Sequence, residues 1–378
     1  MLDVAIVGGG PVGATVAALT APAGLSVGVF EARAAPSDDR RILALSHASR
    51  ERLEEALAWP AASATPILSI HISQRGGPGR TLLEAREQGL PALGYTVPYA
   101  ALEAALGARL GDAGIAVRYG AACASLRLEP EAAHIALSGG EGVSARLVVI
   151  ADGGTSASRI PGIAFAGKDY GQQAIVGAVH VDRPHAGRAY ERFTPEGPLA
   201  LLPVGEGYAL VWTAAPAKAE ELLALGDGAF LAALQEAFGD RAGRFTRIEG
   251  RGAFPLKLRT INTPVALRTA IVGNAAQALH PVAGQGLNLG LRDAAALADL
   301  LRASEPAEVG SARMLDAYRA ARRRDASRGV AFTDFLVGAF ADGRRVPTWG
   351  RGLALAALDL FPPARRLLAE RMIHGSPS

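Results

Sequence analysis

The chain has a single cysteine, Cys123, among 378 residues. An intramolecular disulfide is therefore excluded, and a metal centre built on thiolates lacks its ligands. Such cysteine usage fits a reducing compartment. No uninterrupted apolar run reaches the ~18 residues that a membrane-crossing helix needs. The start, Met1-Leu2-Asp3, has no basic region of the kind that opens a secretory signal. These absences predict a cytoplasmic protein, with a place at the periphery of the inner membrane as the alternative. Charge of one sign is also lacking: 39 basic residues face 36 acidic ones, a net +3. Nucleic acid is not an expected partner. Internal repeats, low-complexity tracts and long linkers are missing as well.

What is present suits a soluble globular protein: 49% of residues are apolar and 20% charged. The length allows two domains. The small positive charge is unevenly placed. Residues 311–378 carry 12 arginines against 6 acidic residues. Within them, residues 350–374 combine Leu/Ala-rich turns with Arg365, Arg366 and Arg371. This tail is read either as an amphipathic contact for anionic lipid or a partner enzyme, or as a packed helix with a wet arginine face.

The first 31 residues read as strand, turn, helix, strand, over 2–7, 11–21 and 26–31. That is the start of a parallel sheet covered by helices. Helices are expected over 50–57 and 99–110, the latter from Leu102, Leu106 and Leu110 spaced by four. An alternating stretch at 67–73 and a Gly/Pro turn at 76–79 suggest strands of another layer. From about 170 to 254 the texture is that of an antiparallel sheet, with strands at 174–181, 188–194, 199–203 and 208–214 and turns at Gly197-Pro198 and Gly205-Glu206-Gly207. Buried strands are expected at 146–151 and 269–272, a helix at 287–303, and largely helical structure over 311–340. The two lobes are interleaved. Segments 1–66, 99–168 and 261–340 form a Rossmann-like α/β domain. Segments 67–98 and 169–260 form an antiparallel substrate domain, and 341–378 a helical tail.

Three segments carry the chemistry. Gly8-Gly9-Gly10-Pro11-Val12-Gly13 is a G-x-G-x-x-G that follows a strand, opens a helix and has Glu31 at the end of the next strand. In that context it marks an adenine dinucleotide site. The glycines let backbone approach a pyrophosphate, and the helix start offers it free N–H groups. Glu31 can accept ribose hydroxyls and would repel a 2′-phosphate. The second segment is Asp152-Gly153 at a strand end, followed by small hydroxyl residues and Arg159. The third runs from Gly273-Asn274 through Leu279-His280-Pro281 to Gly284-Gln285-Gly286 and Asn288. Here Asn274 can serve a sugar-like chain, and the glycines would let backbone lie against a flat ring. No Cys/His/carboxylate constellation predicts a metal.

In this order and spacing the three segments resemble the flavoprotein monooxygenases of the p-hydroxybenzoate hydroxylase type. Gly273-Asn274-Ala275-Ala276-Gln277 and Gly290-Leu291-Arg292-Asp293 are similar to the ubiquinone-biosynthesis hydroxylases, especially the 2-polyprenyl-6-methoxyphenol hydroxylase branch. So are Arg41–Ser46, Ile70–Gly76, Gly197–Pro203 and residues 352–363. The wider family has aspartate where this chain has Asn274. Asparagine keeps an acceptor oxygen, and one negative charge beside the flavin is gone.

The resemblance implies that Gly8, Gly10, Gly13 and Glu31 hold the ADP half of FAD. It implies that Arg41, or its neighbour Arg40, reaches the phosphates. Asp152 and Gly153 match the Asp-Gly motif that serves FAD and passing NADPH. Asn274 matches the ribityl contact, and Pro281, Gly284, Gly286 and Asn288 the loop beside the isoalloxazine. The implied reaction inserts one oxygen of O2 into a polyprenyl-phenol ring through a C4a-hydroperoxyflavin. NAD(P)H or an external donor is the reductant. Other ubiquinone-biosynthesis enzymes are candidate partners. His280 is read either as a base for the phenol or as a packing residue, whereas His47, His71 and His185 are read as structural. Tyr190, Phe193 and Leu201 are candidates for a hydrophobic substrate slot. A reductase of the geranylgeranyl type and an FAD-stabilised scaffold subunit are the alternatives. A halogenase is disfavoured, because Trp59, Trp212 and Trp349 stand singly.

Overall fold

The computed structural model describes residues 1–76, 79–279, 285–323 and Glu370. The strand Leu2–Val7 lies at the centre of an α/β layer. It pairs in parallel with Gly142–Ile150 on one side (Val7 opposite Ile150) and with Val27–Phe30 on the other (Val4 opposite Val27). Thr269–Ile271 and Val117–Arg118 extend the parallel order outward. The central strand is apolar at every position from Val4 to Val7 because both of its faces are covered. Val4 and Ile6 pack with the helices Pro11–Thr20, Tyr99–Asp112 and Gln285–Ala303. Ala5 and Val7 point the other way, towards Ile135 and Leu137 of the hairpin Cys123–Leu128/Ala133–Leu137.

The second layer is an eight-stranded sheet. Its order is Gln277–Ala278, Phe245–Ile261, Phe165–Val181, Gly207–Ala214, Pro198–Val204, Arg188–Phe193, Ser69–Gln74 and Arg80–Glu84. Most pairings are antiparallel, as expected, but Arg188–Phe193 runs parallel to Ser69–Gln74. Helices Pro216–Ala224 and Asp227–Phe238 cover one face. There Leu199, Leu201, Tyr208, Leu210 and Trp212 meet Phe230, Leu234 and Phe238. The opposite face looks into the molecule.

The stretch 67–73 supplies strands of other layers, as expected, divided between two sheets; two other local expectations are corrected. Thr65–Ile67 joins a small antiparallel sheet with Gly94–Pro98 and Ile42–Ser46, and the chain then changes sheets at Leu68. The helix expected from residue 50 begins at His47, because Ser46 is its N-cap and accepts from the Ser49 N–H at 3.2 Å. The region 216–238 is helical rather than sheet. At the C-terminal end residues 312–323 are helical. The tail at 341–378, apart from Glu370, lies outside the described residues, as do His280, Pro281 and Gly284.

Candidate cofactor and substrate site

Gly8 has φ of +106°, and a Cβ there would sit 2.6 Å from the carbonyl group of Ala151. At Gly13 a Cβ would lie 2.1 Å from the Gly8 carbonyl oxygen. Both glycines are thus required by the turn itself. Gly10 differs: its nearest neighbour would be the Tyr99 hydroxyl at 3.9 Å, so its surface is open. It lines the cavity together with Pro11, whose place at the first helical position removes an N–H that would be unpaired anyway. This is a cradle with a bare backbone wall, the shape a pyrophosphate needs.

Glu31 accepts from the Gly9 N–H at 2.7 Å and from the Arg33 N–H and Nε, each at 3.0 Å. Burial works against the carboxylate, but these hydrogen bonds outweigh it and hold its pKa below the usual carboxylate value. Arg33 also reaches Glu103 at 2.8 Å, and Glu103 accepts from the Ser37 N–H at 2.7 Å. Arg33 and Glu103 were not anticipated. Together they order the loop that carries Arg40 and Arg41. Both of those arginines line the cavity, and the Arg41 Nε donates to Asp39 at 2.7 Å.

Asp152 faces its own turn, accepting from the N–H groups of Gly154 and Ser156 at 2.9 Å each. Its side chain thereby shapes the loop that places Gly153 at the cavity. Asn274 is exposed to the cavity, so its amide is available to a ligand. A third residue joins these two loops. Arg259 donates to the carbonyl of Gly153 and, at 2.9 Å, to that of Asn274. Behind Asn274, Asp293 accepts from the Gly273 N–H at 2.9 Å and from Arg322 at 2.6 Å. Burial pushes the Asp293 carboxyl upward, opposed by Arg322, the Gly273 N–H and the Gln277 amide.

Asn288 lies in the cavity wall with its amide engaged by protein. It accepts from the Ser46 N–H and the Ser49 hydroxyl at 2.8 and 2.7 Å, and donates to the Ala44 carbonyl at 3.0 Å. It therefore locks the start of the helix Gln285–Ala303 onto the segment 44–49. Gly286 and Leu287 line the cavity beside it.

The cavity measures about 1920 Å³. A drug-sized ligand needs only ~300–1,000 Å³. It runs from the glycine turn, past Asn274, to the inner face of the eight-stranded sheet. That face is apolar, with Ile72, Phe193, Ala200, Leu202 and Val211. Of the three slot candidates, Phe193 is on this face. Leu201 points to the helix-covered side. Tyr190 contributes to the lining, but its ring packs on Phe238 at 5.4 Å and its hydroxyl donates to the Arg241 carbonyl. His71 packs on the Tyr190 ring, and burial followed by the nearby Arg241, Arg80 and Arg188 push its pKa down to about 4. His185 bonds the Gly205 carbonyl and the Gly187 N–H, and His47 lies within its own helix. All three act as structural residues.

An open dinucleotide cradle, an exposed amide beside it and a flat apolar wall opposite fit FAD and an aromatic substrate. Comparisons with known proteins agree. Residues 1–333 match the FAD binding domain family. The chain is 38% identical over 377 residues to the ubiquinone hydroxylase UbiL of Rhodospirillum rubrum, covering 97% of this chain and 88% of that one. It is 34% identical over 313 residues to the 3-demethoxyubiquinol 3-hydroxylase of Escherichia coli, covering 79% of each. The fold is shared with p-nitrophenol 4-monooxygenase PnpA from Pseudomonas putida, at a TM-score of 0.79, 18% identity and coverage of 100% and 99%. It is also shared with PqsL of Pseudomonas aeruginosa, at a TM-score of 0.78, 22% identity and coverage of 93% and 99%. The chain belongs to the FAD-dependent monooxygenases, in the group of the ubiquinone-biosynthesis hydroxylases.

Proposed function

We propose that this protein hydroxylates the ring of a polyprenyl phenol on the route to ubiquinone, using O2 and FAD. The observation that carries the reading is one continuous cavity joining the glycine turn at Gly10 to the apolar sheet face at Phe193 and Val211. The cofactor, reduced by NAD(P)H or another donor, supplies an electrophilic oxygen derived from O2. The rest is the work of this chain. The turn at Gly8, Gly10 and Gly13 receives the pyrophosphate, with Arg41 or Arg40 at its edge. Glu31 receives the ribose of the adenosine half, its carboxylate held ionised and oriented by Arg33. The Asp152 loop and Asn274 flank the middle of the cofactor. Gly286 and Leu287 present backbone to its ring, and the N-terminal end of their helix favours negative charge there. The apolar face opposite keeps water from the reacting oxygen and stacks the phenol ring.

In this reading segments 1–66, 99–168 and 261–340 serve the cofactor, and 67–98 and 169–260 the substrate. Among the described residues no helix is long and apolar enough to cross a membrane. The prenyl chain is met at a bilayer surface, with the arginine-rich residues 350–374 as the contact. Flotation with anionic vesicles tests that part separately.

The test of the whole is direct. Purified protein should be yellow, release FAD on denaturation, and convert a short-chain prenylated phenol to a product heavier by one oxygen when given NAD(P)H and air. Deleting the gene should accumulate an under-hydroxylated quinone precursor. A colourless protein that takes up no FAD, or an unchanged quinone pool, defeats the proposal.

A further inference from the structure

Across the inner face of the eight-stranded sheet runs one row of side chains in register. Ile72 is opposite Glu191, Glu191 opposite Ala200, Ala200 opposite Val211, and Val211 opposite Val176. All five line the cavity. Four are apolar, and the fifth is a carboxylate with an apolar side chain on either side of it.

Other acidic groups line the same cavity, but each is accounted for. Asp39 is bound by Arg41, Asp169 lies 3.5 Å from Lys257, Glu249 lies 3.0 Å from Arg247, and Glu206 is exposed. The Glu191 side chain has no hydrogen bond or ion pair among the described residues, and its partial exposure opens onto the cavity. Its surroundings offer no counter-charge. On the flanking strands the side chains beside it that line the cavity on this face are Ile70, Ile72, Pro198, Ala200 and Leu202. From the segments across the cavity come Leu43, Leu45, Ile67 and Leu93. The nearby cationic groups turn to the other face. Arg192 donates to the Ala237 carbonyl and Ser73, and His71 packs on Tyr190. Burial alone raises the Glu191 carboxyl to about 7.

Such a group contributes nothing to packing. A buried carboxylate with no partner is costly, and an alanine or leucine would suit the row better. The position makes sense once a ligand supplies the missing hydrogen-bond donor. That donor must be borne by something flat and apolar, since everything around Glu191 is. A phenol answers both conditions.

We infer that Glu191 is the acceptor for the substrate's phenol hydroxyl and takes its proton as the ring is oxidised. This rests on the hydroxylase reading above. The phenol O–H bond breaks, the proton passes to a Glu191 carboxylate oxygen, and the electron pair stays on the phenol oxygen and enriches the ring. The ring then forms its new C–O bond with one oxygen of O2 as the O–O bond breaks, and the other oxygen leaves as water, reduced by the two electrons that FAD would supply. When that ring carbon has lost its own hydrogen as a proton to solvent, the proton on Glu191 returns to the phenol oxygen. Glu191 is thus restored with no net gain or loss.

The experiment uses FAD-loaded full-length protein as wild type, Glu191→Gln, Glu191→Asp and Glu191→Leu. The ligands are a short-chain prenylated phenol and its methyl ether. Wild-type turnover should rise with pH through about 7. Glu191→Gln should lose that rise and about 10²-fold or more in product formation, whereas Glu191→Asp should keep the rise. Binding is read from the change in flavin absorbance. Wild type should prefer the phenol to its ether by about 10-fold, and Glu191→Leu should bind the two equally. Melting supplies a readout free of turnover: Glu191→Gln should melt above wild type at pH 8 and level with it near pH 5. If wild type hydroxylates the phenol while Glu191→Gln and Glu191→Leu keep the pH rise and the preference, the role of Glu191 is overturned and the function stands. If wild type hydroxylates no phenol, the function itself is overturned.

Discussion

The guanidinium of Arg322 meets the carboxylate of Asp293 at 2.6 Å, with both side chains almost sealed from solvent. The same carboxylate holds the Gly273 N–H, so the pair positions the loop that presents Asn274 to the cavity. Replacing Asp293 by alanine removes the buried carboxylate that both Arg322 and the Gly273 N–H meet. The expected cost is about 3–5 kcal/mol, read from urea unfolding of the FAD-loaded protein. FAD retention on a desalting column should fall with it. The double change Asp293→Leu with Arg322→Leu should cost less than the sum of the single changes. Additive losses would mean that the two side chains do not act as a pair.

Two glycines of one motif should respond in opposite ways. Gly13→Ala places its methyl carbon 2.1 Å from the Gly8 oxygen, so the turn cannot close and the protein should be recovered without FAD or insoluble. Gly10→Ala meets nothing nearer than 3.9 Å, and should fold with a penalty under about 1 kcal/mol. Its added methyl group would stand where the pyrophosphate approaches, so FAD affinity should still drop. Calorimetric melting and FAD titration of the two variants separate closure of the turn from access to it. A Gly10→Ala protein with wild-type FAD affinity would argue against phosphate binding at this point.

Arg259 should be worth more to the cofactor than to the fold. It is half-exposed, yet it joins the carbonyls of Gly153 and Asn274. Arg259→Ala is expected to weaken FAD by about 10-fold, while changing stability by under about 2 kcal/mol. Arg259→Lys should recover only part of that loss, because an ammonium group lacks the planar fork. Equilibrium dialysis against FAD decides it. Unchanged affinity in Arg259→Ala would remove the bridge from the account of the site.

Glu31 gives the protein an acid limit. Its folded pKa lies below the unfolded value, so its contribution is complete above the unfolded value and is lost as pH falls through the folded one. Melting temperature should therefore fall as pH drops below the usual carboxylate range. Glu31→Gln should flatten that part of the curve, starting from a less stable protein at neutral pH. An identical slope in both proteins would assign the acid sensitivity to other carboxylates.

The parts of this architecture that could be read from sequence are those written in local order. The glycine turn, its strand and helix, and Glu31 lie within 31 residues, and fixed spacing carries the message. The alternation at 188–194 and 208–214 marked strands in the same way. What escaped depends on pairing. The side of the sheet that Glu191 faces is set by its register against Ser69–Gln74 and Pro198–Val204, and alternation fixes a face only once a neighbour is known. Arg259 carries no local signal, because its role comes from two loops, at Gly153 and Asn274, that only the fold brings to it. Arg33 was obscured by the more conspicuous Glu31, although the two stand only two residues apart. The helices at 216–238 were absorbed into an expected sheet because strands flank them on both sides.

Arg188 and Ser69 are 119 residues apart, yet they are neighbours in parallel strands. On a ribosome the earlier of these strands emerges with Arg80–Glu84 to pair on one edge, and its other edge waits until Arg188–Phe193 is synthesised. Pairings of such long separation are slow to form. The compartment for the aromatic ring is accordingly expected to close late, after the glycine turn and the strands beside it have formed. Newly made chains would then pass through a stage in which the dinucleotide turn is built while the wall for the aromatic ring is still open.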